Sequence, residues 1–120
     1  MKNVINWFEI PVVDVDRAVK FYGTIFETDL TAAEMDGMTM AVFPYQDGVG
    51  GALVRSDMHK PATEGAVLYL NAGEDLNVVL NKVGPAGGQV VMPKTEIGKN
   101  GFIAFFTDTE GNQVGLHSMN

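Results

Sequence analysis

The chain has 120 residues, 46% of them apolar and 19% charged, a composition that supports one packed domain and not a disordered polymer. A formal net charge of −7 with no cluster of Lys or Arg argues against nucleic acid as a partner, and the absence of Cys removes disulfides and thiolate chemistry. No apolar run approaches the roughly 18 residues of a membrane span, and "MKNVINW" lacks the apolar core of a signal peptide, so no membrane partner and a cytoplasmic location are expected.

The first predicted element is a strand within "NVINWFEIPVVD". Alternation puts Val4, Phe8 and Ile10 on one face, with Asn6 as the odd member, and Ile5, Trp7 and Glu9 on the other. Asp14 then reads as the N-cap of a helix whose apolar stripe is Val15, Ala18, Val19, Tyr22, Ile25 and Phe26. Three strands follow, "DLTAAEMD", "MTMAVFPY" and "GALVR", separated by turns at Asp36-Gly37 and Asp47-Gly48. "SDMHKPATEG" has no periodicity and reads as a linker.

The second half repeats that order. "AVLYLNA" is a predicted strand, and Asp75 is expected to cap a helix with Leu76, Val79, Leu80 and Val83 on its buried face. "GPAGG" ends the helix, with Gly84 expected in the left-handed conformation and Pro85 blocking continuation. "QVVMPKTEI", "GFIAFFTD" and "QVGLHS" complete three more strands, the last after the turn "TEGN". Neither "GPAGG" nor "DGVGG" is a phosphate loop, because neither carries the Lys-Ser/Thr pair or leads into a helix.

The expected architecture is therefore α+β, two tandem β-α-β-β-β modules. Module one covers about residues 1–55, the linker about 56–64 and module two about 65–120. Each module covers one sheet face with its helix and leaves the other open, and two open faces placed side by side make a cleft. If the more apolar set of the first strand lies under the helix, Trp7 and Glu9 line that cleft. Trp7 offers an aromatic platform and Glu9 a polar anchor in a partly apolar setting. Met38 and Met40 alternate with Thr39 and Ala41, so one set faces the cleft, where Met would suit an adaptable pocket. His117, on the last strand, is the candidate acid/base partner of Glu9, while Lys94 and Arg55 are the cations to consider at the rim.

The paired modules, "FEIPVVDVDRAVKFY" early and "FTDTEGNQVGL" late, resemble the vicinal oxygen chelate superfamily, which includes glyoxalase I, extradiol dioxygenases and the fosfomycin- and bleomycin-resistance proteins. The resemblance covers nearly the whole chain and rests on D-x-x-R-A-x-x-F-Y at the first helix and D-x-x-G-N at the late turn. It implies a metal held by residues seven before each helix-capping Asp and four after each turn Gly. Those positions are Trp7, Leu68, Ala52 and Gly115 here, and none can bind a metal, so no metal and no cofactor are expected. Glu9 and His117 are the donors left near those positions, and two are too few for tight binding. The functional expectation is a small apolar or aromatic ligand held against Trp7 and Glu9 in a metal-free cleft. The alternatives are a lyase or isomerase using Glu9 and His117, or a protein-interaction module. Open sheet edges and the resemblance together imply a homodimer.

Overall fold

A computed structural model describes residues 3–120 and contains the two repeats. Module one runs β1 (Trp7–Pro11), α1 (Val15–Ile25), β2 (Ala32–Met35), β3 (Met38–Val42) and β4 (Gly50–Arg55). Module two runs β5 (Tyr69–Asn71), α2 (Asn77–Val83), β6 (Gln89–Glu96), β7 (Phe102–Thr107) and β8 (Gln113–Ser118), with a short 3-10 turn at Gly98–Asn100. Each module forms a four-stranded sheet, in the orders β1-β4-β3-β2 and β5-β8-β7-β6. The strand before the helix pairs in parallel with the last strand, and the other pairings are antiparallel. The fold is α+β with two tandem modules, and among the described residues no helix is long and apolar enough to cross a membrane.

Local chemistry explains the elements. The Asp14 carboxylate accepts the Arg17 N–H at 3.1 Å, which caps α1. Val15, Ala18, Phe21, Tyr22 and Ile25 are its buried stripe. Asp36 and Gly37, both at positive φ (49° and 81°), make the two-residue turn that fits the twist of the β2–β3 hairpin. Pro93 lacks an N–H and sits in β6, an edge strand whose pairing to β7 is interrupted by register shifts on either side of Met92. In module two the cap position falls on Leu76, one residue later than expected and without a side-chain cap bond, while Asp75 just before it accepts the Asn77 N–H at 2.9 Å. The helix stop differs from the expectation. Gly84 has an ordinary helical φ of −59°, and Gly87, at φ +106°, takes the left-handed position. The Ala86 and Gly88 N–H groups bond back to Lys82 and Val83, so the chain winds on for three residues past Gly84 before it turns.

Within the chain the modules join through their helix-bearing faces. One continuous core contains Ile10, Tyr22 and Leu53 from module one with Leu76, Phe106 and Leu116 from module two. The centroids of the Phe21 and Phe106 rings lie 5.8 Å apart across the junction. Faces opposite the helices stay outside this core. Ile10 is 1% exposed and Trp7 38%, so alternation on β1 runs as the sequence requires. Leu70 of β5 and Leu68 just before it face the core, which leaves Tyr69 and Asn71 on the open face. Counting seven residues back from the capping Asp therefore reaches the open face in module one, at Trp7, but the core side in module two, at Leu68. The reason is one additional residue. Buried Val12 and Ala72 are equivalent in the two modules, yet Asp14 follows Val12 by two positions and Asp75 follows Ala72 by three, across Gly73 at φ +81°.

Candidate functional site

Glu9 and Trp7 share the open face of β1 by strand alternation, and register carries that face across sheet one. Trp7 is opposite Gly50 and Glu9 opposite Ala52 on β4. Gly50 has no side chain, and the Tyr45 ring fills the space where a Cβ would stand, 2.5 Å from the nearest ring atoms. Trp7 meets that ring edge-on, with centroids 6.0 Å apart at 74°. Met40 pairs with Val54 and Ala33, and Met38 with Met35, so both methionines are on the Trp7–Glu9 face while Ala41 is in the core.

The residues between β4 and β5 form neither helix nor strand, but they are not detached from the sheet. Ser56 Oγ accepts the Met58 N–H at 3.0 Å, a local turn that brings His59 back over β1. His59 Nε2 then lies 2.8 Å from Glu9 Oε1, and His59 Nδ1 lies 2.6 Å from Ser56 Oγ. Farther on, Ala62 bonds the Asn112 side chain and the Gln113 N–H, which ties the segment to the start of β8. A cavity of about 370 Å³ lies along this path, lined by Ile5, Trp7, Glu9, Pro11, Lys60 and Leu68 among others. Its walls are mainly apolar, and Glu9, Lys60 and Glu64 are its charged groups.

The structure separates the sequence-predicted residues into two groups. Trp7 and Glu9 line this cavity together. Met38 and Met40 share the face but stand on β3, beyond β4, and do not line it. His117 is on the open face of sheet two, paired with Asn71 and Ile103, and its Nε2 is 2.7 Å from the Asn100 carbonyl oxygen. Glu9 thus bonds His59 and not His117. Lys94 bonds Asp75 at 2.9 Å and lies 4.6 Å over the Phe102 ring. That hydrogen bond, with the Asn77 N–H, lowers the Asp75 pKa. Arg55 borders a separate groove with Asp14 and Arg17. Sequence reasoning passed over His59 and Ser56. Their spacing signals a turn, but nothing local says that the turn lands on a strand 50 residues earlier.

The two motifs that carried the family resemblance meet each other elsewhere. Glu110, whose side chain is fully buried, accepts the Val13 and Asp14 N–H groups at 2.9 and 2.8 Å. It also accepts Arg17 Nε at 2.7 Å and the Thr109 hydroxyl at 2.9 Å. Burial alone would raise the Glu110 pKa; the Arg17 pair and the backbone donors outweigh it and bring it down from 4.5 to about 2. The Tyr22 hydroxyl donates to Asp108 at 2.7 Å, and burial, reinforced by that carboxylate, holds its pKa well above the ordinary value. Asn112 donates to the Pro11 carbonyl at 2.7 Å. This cluster is a clasp between modules, and the Asp108 and Glu110 carboxylates are committed to it.

The implied metal positions fail on donor chemistry. Trp7, Ala52, Leu68 and Gly115 carry no ligating atom, and among the described residues no group of three His, Cys, Asp or Glu converges. Glu9 with His59 supplies two donors, short of the three protein ligands of an open catalytic site.

The family model for the glyoxalase/bleomycin resistance protein/dioxygenase superfamily matches residues 4–116. The chain is 34% identical over 122 residues to CFP32, a provisionally named glyoxylase of Mycobacterium bovis and Mycobacterium tuberculosis; the match covers 96% of this chain and 45% of those proteins. The chain thus spans under half the length of these relatives. A glyoxylase-like domain-containing protein of Didymella fabae is 30% identical, over 90% of this chain and 88% of that one. Among solved structures, a glyoxylase/bleomycin resistance protein/dioxygenase domain from Frankia superimposes with a TM-score of 0.75 at 17% identity, over all of both chains. Glyoxalase I from Zea mays gives 0.69 at 21% identity, over 94% of this chain and 45% of that one. At these identities the structures establish the shared fold.

Proposed function

The chain belongs to the glyoxalase/bleomycin resistance protein/dioxygenase superfamily, and from that premise we propose that it binds a small apolar or aromatic molecule, without a metal, in the cavity along β1. The observation that carries this reading is the joint presence of Trp7 and Glu9 in one mainly apolar cavity of about 370 Å³. An indole supplies a flat face, a carboxylate supplies one directional acceptor, and the volume suits a compact ligand. The net charge of −7 favours a ligand that carries a cation or N–H donors.

Trp7 is the only tryptophan in the chain, so its fluorescence is the test. Titration with benzamidine, a planar aromatic cation, should quench or shift the emission, and Trp7→Ala should weaken binding by about 1–3 kcal/mol, the usual range for an aromatic anchor. Unchanged emission across a panel of flat aromatic ligands, with no thermal stabilisation by any of them, overturns the reading. Zinc or nickel titration tests the metal-free part: a stoichiometric metal bound at the Trp7–Glu9 face would refute it.

The alternative, a lyase or isomerase with Glu9 and His117 as acid and base, draws on the glyoxylase names of the relatives. Against it stands the geometry, since these two groups belong to different sheets and to different hydrogen-bond networks. A homodimer is part of the proposal. The open faces carry exposed apolar side chains, including Met35 and Val42 on sheet one and Tyr69 on sheet two, which a second copy would cover. Light scattering that returned the monomer mass of 12.9 kDa at micromolar concentration would rule it out.

A further inference from the structure

We infer that the segment joining the modules is a working part of this site: Ser56 and His59 are positioning residues that fix Glu9 as the acceptor for an N–H-bearing ligand. The inference rests on the proposed cavity and goes beyond it by assigning the origin of its polar specificity. An ionised carboxylate only accepts, so the proton between His59 and Glu9 belongs to Nε2, and we assign the neutral tautomer in which Nδ1 accepts. The Met58 N–H occupies one lone pair of Ser56 Oγ at 3.0 Å. The Ser56 hydroxyl is then free to donate to His59 Nδ1 at 2.6 Å, which leaves the proton on Nε2 to donate to Glu9 Oε1 at 2.8 Å. In that tautomer each group in the relay is satisfied, and Glu9 keeps its acceptor character. Among the described residues, Glu9 Oε2 has no protein partner, and Glu9 lines the cavity. A carboxylate with one oxygen tethered and the other available holds its rotamer without spending the atom that a ligand needs.

The position of the tether supports a role beyond joining the modules. A linker serves its connecting purpose in many conformations, whereas this one closes a side-chain bond between His59 and Glu9 across 50 residues. Its side chains are partly covered, with His59 20% and Glu9 34% exposed. The following residues Lys60, Ala62 and Glu64 continue along the cavity wall. The ligand class that fits is a planar ring bearing an amidinium, amide or amine N–H, stacked on Trp7 and donating to Glu9.

The test uses benzamidine with the full chain, read by Trp7 fluorescence, in a double-mutant cycle. His59→Ala should weaken binding about five- to tenfold, and Ser56→Ala about two- to threefold. His59→Gln, which retains a side-chain N–H donor, should recover most of the loss. Glu9→Gln with His59→Ala should bind no more weakly than Glu9→Gln alone, because His59 acts only through Glu9. Additive losses, or wild-type affinity in His59→Ala, overturn the inference. A second arm stands apart from binding. In the free protein, the His59 ring nitrogens should report the Nε2–H tautomer by NMR, and the Glu9 side-chain carboxyl carbon should shift on His59→Ala. If the wild type binds no probe but these signals behave as stated, the cavity reading fails while the tether stands. If the signals show a freely averaging imidazole, the tether itself is refuted.

Discussion

The turn before β4 and the turn before β8 occupy the same place in the two modules, yet they do different work. Residues 45–49, with Asp47 at φ 51°, are exposed, and among the described residues the Asp47 side chain makes no hydrogen bond. In residues 108–112, Asp108, Glu110 and Asn112 are nearly or fully buried and together bind Tyr22, Arg17, the N-terminus of α1 and the last carbonyl of β1. The difference teaches that a repeated motif becomes structural only where the other module packs on it. It also explains why the recognisable signatures of this chain mark its clasp and not the open face of its first sheet.

The comparison is broken most directly at Glu110. Glu110→Ala leaves the Val13 and Asp14 N–H groups without their acceptor and releases the half-exposed Arg17 guanidinium to water, and should cost about 2–4 kcal/mol of unfolding free energy, the scale for leaving two covered donors unpaired. Asp47→Ala should stay within about 0.5 kcal/mol, as for a surface change. Denaturant melts of the two variants that gave similar losses would end the distinction. The same contrast appears in acid. The folded-state pKa of Glu110 is depressed from 4.5 to about 2, so its contribution is complete above pH 4.5 and is lost as pH falls from there toward 2. Arg17→Met should flatten that part of the stability–pH curve, and an unchanged slope would place the acid sensitivity elsewhere.

Tyr22→Phe sharpens the comparison by removing one bond and little volume. Asp108 keeps the Asn112 side chain and two backbone N–H groups, so the loss should be about 1.5–3 kcal/mol, typical of a hydrogen bond to a charged group. On the open face the effect should be small. Glu9→Gln trades the hydrogen bond that His59 donates to a partly exposed carboxylate for one to a neutral amide and should change stability by less than about 1 kcal/mol. A larger loss by thermal melting would make Glu9 a structural residue like Glu110.

Much of this was legible before the structure. Alternation alone put Trp7 and Glu9 on the face away from Ile10, because a strand has only two faces and the more apolar one packs under the helix. Helical spacing likewise gave the buried stripe of α2 and most of that of α1, but it passed over Phe21, 1% exposed, and included Val19 and Phe26, which are only partly buried. Where counting replaced periodicity, it slipped: one extra residue around Gly73 moved Leu68 to the core side, since a shift of one position exchanges the faces of a strand.

The linear sequence determined the two modules, the cap of α1, the β2–β3 turn and the two faces of β1, because these follow from hydrogen-bonding geometry and periodicity within a few residues. It also determined that four implied metal positions carry no donor atoms. Only the tertiary structure decided that the modules share a core through their helices, that Glu110 holds Arg17 across 93 residues, and that His59, in a segment without periodicity, is the partner of Glu9. Those contacts depend on how two independently legible units dock. Docking is set by the summed burial of both faces, and no stretch of either unit contains that sum.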